Sequence, residues 1–286
     1  MQATKPDVGA LVGQMPDADT PGKTDKFTGP DPTAADKVFD EILSGGRGSI
    51  EELIAMIHDT TDPKFKDFRP EYVLHCLAVR VGGPGKEVER KMLADTLASL
   101  VADEKLSAGI RGVLLRQLQV AGGRDAVEAI GKQLLDDALC ETATQALTVI
   151  REGAVEQLRK ALPGARGRNR VTIVQALGVL RDAGSLSALR EAAGDADRDV
   201  RIAAAWALAN TGDPAAADAA IKASEANDGW ERIEATKACL LLAEKLRAAG
   251  KKGEAVAIYR HLKESRKGDS EAYVREAAER GLAAAQ

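Results

Sequence analysis

The stretch Asp197–Ala216 reads DRDVRIAAAWALANTGDPAA, a run of alanines that opens on Val-Arg and carries one tryptophan in its middle. At about 100° per residue, Ala204, Ala207 and Leu208 fall within about 80° of Val200, so the four share one helix face. Trp206 falls near 240° on the same wheel, roughly opposite that face. The helix ends at Gly212, and Asp213 before Pro214 reads as the cap of a second helix with proline at its first position.

The same pattern recurs along the chain. RVTIVQAL begins at Arg170, RIAAAWAL at Arg201 and RIEATKAC at Arg232, each 31 residues from the last. CETATQAL from Cys140 lies 30 residues before Arg170, IRGVLLRQL from Ile110 precedes it by a similar step, and VREAAERGL from Val274 closes the series. A unit of this length cannot bury its apolar face alone; stacking it against its neighbours can, and that is the mark of a solenoid. No segment alternates β-branched and polar residues, so no strand is expected.

These units resemble the HEAT-like repeat family, including the short form found in bacterial phycobilin-lyase-type proteins. The resemblance rests on Asp-x-Asp-Val-Arg-x-x-Ala-Ala-x-Ala-Leu followed by Gly-Asp-Pro. It is clearest over 108–229 and returns at Val274, while 39–105 shows helical hairpins alone. The segment 237–265 is similar instead to a tetratricopeptide unit, with Gly250, Ala255 and Tyr259 where small and aromatic residues interlock. The resemblance implies an all-α, right-handed α-solenoid of stacked antiparallel helix pairs over 33–286. It further implies that the second helices, 153–162, 185–193 and 214–223, line a groove. It also implies a ladder in which Arg111, Arg170, Arg201, Arg232 and Arg275 tie the repeats together with Glu152, Asp182 and Asp213.

Residues 1–32 are rich in Pro, Gly, Asp and Thr and read as an extended or disordered lead. Thr33 with Asp36, and Ser49 with Glu52, look like capping boxes opening a first hairpin. Helices are then expected near 70–81, 86–101, 106–120, 124–136, 139–151, 153–162, 169–181, 185–193, 198–210, 214–223, 230–248, 252–265 and a terminal one at 271–284.

Composition narrows function by exclusion. Aromatic residues make up 3% of the chain and the net charge is −4, which argues against binding nucleic acid through overall charge. Cys76, Cys140 and Cys239 lie within apolar helical patterns and read as buried structural thiols. His58, His75 and His261 have no second ligand at helical spacing, so no metal is implied. GGPGKE at 82–87 lacks the preceding strand and the Lys-Ser/Thr ending of a phosphate loop. There is no nucleophile elbow, no His-Glu-x-x-His and no other catalytic order, so the chain reads as a non-enzyme without a cofactor. No apolar run spans a bilayer. The absence of a signal peptide points to the cytoplasm, or to an exported protein if Met1 replaces a removed signal. Nothing in the sequence sets an oligomeric state.

What remains is surface. Arg116, Gln145, Gln175, Lys237 and Arg280 occupy the repeat position of Trp206, and together they form an expected exposed ridge with Trp206 as its single large apolar member. The leading expectation is a scaffold or adaptor that binds a protein or peptide partner there. A second is a lyase-like or chaperone-like assistant holding a tetrapyrrole (bilin), as the resemblance implies. A third is weak nucleic-acid binding through the basic 159–170 loop, where Arg166 and Arg168 sit in a Pro-Gly loop.

Overall fold

The computed structural model describes residues 5–15, 31–59, 67–227 and 229–285. Among them are sixteen α-helices and no strand. They are α1 (Val8–Val12), α2 (Pro32–Ser44), α3 (Gly46–Ala55), α4 (Arg69–Arg80), α5 (Glu87–Val101), α6 (Ala108–Ala121), α7 (Val127–Gly131) and α8 (Cys140–Ile150). After them come α9 (Ala154–Ala161), α10 (Gly167–Leu180), α11 (Leu186–Ala192), α12 (Arg198–Thr211), α13 (Ala217–Ala223), α14 (Gly229–Ala248), α15 (Lys252–Ser265) and α16 (Ala272–Ala285). The chain is an all-α solenoid of helix pairs that forms two compact units, Met1–Ala154 and Val155–Gln286.

In the first unit the first helices α4, α6 and α8 pack side by side, as do the second helices α3, α5 and α7. Part of the expected lead is ordered here. Asp7 caps α1 by accepting from the Ala10 N–H at 3.0 Å, and Val8, Leu11, Val12 and Met15 are buried where α1 packs on α2, α3 and α4. Burying such side chains stabilises by about 1.5–3 kcal/mol each, which offsets the ordering of so short a helix. The rest of the lead, 1–4 and 16–30, lies outside the described residues. The first hairpin also starts differently from its expected caps. Asp31 caps α2, with Pro32 at the first position, in place of Thr33. Ser49 is fully buried inside α3 rather than at its start.

In the second unit α10, α12 and α14 form one layer, with the shorter α11 and α13 behind it, each entered by a 3-10 turn. Val200, Ala204, Ala207 and Leu208 are all buried, as their shared face requires. Alanine allows close approach: a Cβ placed on Gly178 of α10 would stand 2.7 Å from the Ala207 Cα of α12. At the C-terminal end the tetratricopeptide-like interlock is present. Ala255 and Tyr259 are buried, and the Tyr259 ring lies where a side chain on Gly281 would go.

The first-turn arginines do form a ladder, but with other partners. Arg111, Arg170 and Arg201 each face two ways. Arg170 donates back to the Leu162 carbonyl at 2.8 Å and forward to Asp195 at 2.7 Å. Arg201 donates back to the Asp195 and Ala196 carbonyls and forward, with two nitrogens, to both oxygens of Glu231 at 2.7 and 2.6 Å. Arg232 reaches Glu271 at 2.7 Å, and Arg275 reaches back to the Arg266 and Gly268 carbonyls. In the first unit Arg111 donates back to the Val101 carbonyl and forward to Gln133, with Asp136 at 3.7 Å. The backward bonds satisfy carbonyls left open where the preceding helix or turn ends, and the forward bonds are charge-assisted.

The carboxylates expected in the ladder do other work. Glu152 pairs with Arg124 at 2.9 Å, Asp182 accepts from the Ser185 hydroxyl and lies 3.8 Å from Arg159, and Asp213 caps the turn before α13 as expected. Arg266, 1% exposed, completes the terminal joint by donating to the Ser224 carbonyl at 2.5 Å and the Thr236 hydroxyl at 3.1 Å, with Glu271 at 3.4 Å.

Two outcomes are expected. Gly281→Ala should destabilise the second unit by about 1–3 kcal/mol, because the buried Tyr259 ring has nowhere to go; an unchanged melting temperature would contradict this packing. The ladder also makes stability depend on pH. The Asp197 N–H, against the effect of burial and with help from Arg170, holds the Asp195 carboxyl below its usual pKa, and the Arg232 guanidinium does the same for Glu271. Carboxyls depressed in the folded state contribute fully above the unfolded value of about 4 and lose that contribution as pH falls through the folded value. The urea midpoint should therefore hold down to about pH 5 and drop below about pH 4. Arg170→Met with Arg232→Met should flatten that drop.

Candidate partner-binding face

The outward surface of α10, α12 and α14 is built from repeat positions. Val171, Ile202 and Ile233 stand at one position, 31 residues apart, and Gln175, Trp206 and Lys237 stand one helical turn further on. Val171 and Ile202 are half-buried and Ile233 is 38% exposed, so a row of β-branched side chains breaks the surface. Gln175 and Lys237 are exposed as expected, and so are Arg116 and Gln145 on the first unit.

Trp206 stands less open than Gln175 and Lys237 beside it. It is half-buried, and its indole N–H donates to Glu234 Oε2 at 3.3 Å. The other oxygen of Glu234 accepts from Lys237 at 2.7 Å, and the Lys237 ammonium stands 5.9 Å from the centre of the Trp230 ring. One glutamate and one lysine thus link two tryptophans on neighbouring helices. Trp230 is the more open of the two at 57% exposure. It was not singled out in the sequence, although the repeat register marks it: it stands two residues before Arg232, as the exposed Tyr273 stands two before Arg275.

Other features of the surface are less suited to a partner. In the basic 159–170 loop, Arg170 is held by Asp195, Arg159 lies near Asp182, and the exposed Arg166 donates to the Pro163 and Ala165 carbonyls. Arg168 is also exposed and has a partner of its own. Phosphate binding would have to break these bonds. Open grooves appear on the first unit along α5, away from the expected groove on the second helices near 153–223. One of about 640 Å³ is lined by Arg47, Val88, Lys91, Met92 and Asp95, and Lys91 is held across it by Asp95 and Asp125.

Cys140 and Cys239 are buried, the latter with its thiol pushed up to about 12 by burial, while Cys76 is only half-buried. Among the described residues no group of three His, Cys, Asp or Glu could hold a metal ion, and no helix is long and apolar enough to cross a membrane.

The HEAT repeats family matches residues 155–239, which carry most of α9, α10 to α13 and the first half of α14. Over these residues the chain forms HEAT-like repeats. No curated protein matches it in sequence. Among solved structures it is similar to an engineered protein, at 21% identity and a TM-score of 0.46, over 97% of this chain and 78% of that one. It is also similar to the complex of CpcE and CpcF of phycocyanin lyase from Nostoc sp. PCC7120, at 20% identity and a TM-score of 0.42, over 93% of this chain and all of that one. Human deoxyhypusine hydroxylase follows at 17% identity and 0.34, over 97% and 95%.

The two tryptophans supply a direct check on this face. In Trp206→Phe, which leaves only Trp230 to emit, acrylamide should quench the fluorescence more steeply than in Trp230→Phe, which leaves only Trp206. Equal quenching would contradict the different exposure of the two rings.

Proposed function

We propose that this protein is a non-enzymatic scaffold that binds a protein or peptide partner on the outward face of α10, α12 and α14. The observation that carries the reading is the convergence there of Trp206, Trp230 and the half-exposed Val171, Ile202 and Ile233 row in a chain so poor in aromatic residues. Tryptophan is enriched at the centres of interfaces, and apolar residues gathered on one face favour association where scattered ones do not. Stacked helix pairs offer extended surface rather than a deep cavity, which suits a macromolecular partner.

The test is site-specific photo-crosslinking in the native host. A crosslinking residue at Gln175 or at Lys237 should capture the same partner, and one at the exposed Ser187 of α11 should not. Trp206→Ala should lower the yield from both. Equal capture from Ser187, or yields unchanged by Trp206→Ala, would remove this face from the interface.

A further inference from the structure

The C-terminal edge of the same face carries two cations that form no ion pair among the described residues. Arg181 ends α10 and is exposed; Lys245, one turn beyond Leu241 on α14, lies against Gly212, which ends α12 between them. Neither side chain makes a hydrogen bond or ion pair with the described residues, whereas Arg170, Arg201 and Arg232 of the same repeats are all paired. The two are close enough to repel: burial and then the charge of Arg181 lower the pKa of the Lys245 ammonium.

The backbone under Arg181 sharpens the point. Its φ is +55°, in the left-handed region, and at the same position one repeat later stands Gly212 at +63°. A side chain there costs about 1 kcal/mol that glycine avoids. The chain thus holds a guanidinium at this spot at some expense, beside another cation, in a protein whose net charge is negative.

We propose that the partner is an acidic amphipathic helix, lying across α10, α12 and α14 with its apolar side on Val171, Ile202, Ile233 and Trp206 and a glutamate on its flank reaching toward Arg181 and Lys245, about 15 and 18 Å of helix rise beyond Val171 and Ile233. The proposal rests on the partner-binding reading above and adds the chemistry of what binds. Packed helices lie about 8–10 Å apart, and seven residues of a helix rise about 10.5 Å, so a crossing helix with an apolar residue at every seventh position meets the row in step. A carboxylate at the cationic edge would neutralise two charges that now repel, and would fix the direction in which the helix lies.

Two labelled synthetic helical peptides test this by fluorescence anisotropy with the full chain. Both have leucine at every seventh position; one carries glutamate and the other lysine at the remaining surface positions. The glutamate peptide should bind, more weakly as salt rises, and Arg181→Ala with Lys245→Ala should weaken it about tenfold. Arg181→Glu with Lys245→Glu should transfer the preference to the lysine peptide. Arg181→Gly, which relieves the strained backbone, should raise the melting temperature and still weaken binding, a combination that lost folding cannot give.

If the glutamate peptide ignores every change at Arg181 and Lys245 yet is released by Ile233→Asp, the acidic partner is overturned and the docking face stands. If Ile233→Asp has no effect, the face itself fails. Failure of both peptides to bind, or displacement of the bound glutamate peptide by a single-stranded oligonucleotide, overturns the proposal.

Discussion

The structure depends on first-turn arginines that bond across the joints between repeats. Arg170 and Arg201 show the full pattern, each taking open carbonyls of the turn behind it and a carboxylate of the next unit ahead. Asp195 shows the consequence: its side chain accepts from Arg170 and its own carbonyl from Arg201, so one turn is gripped by two successive repeats. Lysine could not substitute, since only a planar fork of donors meets a carbonyl on one edge and a carboxylate on the other. Helix pairs thick with alanine have little apolar bulk to set their spacing, and the ladder supplies the register that the core leaves loose.

With these charges committed at the ends of the helices, the outward surface carries few of the bonds that join neighbours, the Trp206–Glu234 bond among them. That division explains why Trp230 and Ile233 can stand partly in water without a packing reason, and why unpaired charge is informative in this chain. Arg170, Arg201 and Arg232 each bond a carboxylate; Arg181 bonds none among the described residues.

Much of this could be read from the sequence, and the misses share a cause. The register of arginine and alanine-leucine pairs, close to 31 residues, marked the first helices from α6 onward, because the period is local and repeated. The partners of those arginines were not legible, since Glu231 and Glu271 lie a whole repeat or more away and only stacking decides which carboxylate comes within reach. Glu152, Asp182 and Asp213 recur as regularly but sit at turns facing other groups. Trp206 was placed correctly on the wheel, yet a wheel contains one helix, and the side chain that half-covers it, Glu234, belongs to the next. The helix at Val8–Val12 is too short to show a period and is held by contacts with α2, α3 and α4 that no local pattern announces.

The bond between the Trp206 indole and Glu234 has one further effect. Indole has a single polar atom, and here it is spent inside the protein. Anything resting on this side chain therefore meets only carbon, and must be sorted by contour rather than by polarity. Any directional preference on this surface has to come from its charged margin, leaving the ring to act as a footing that accepts many shapes and chooses none by itself.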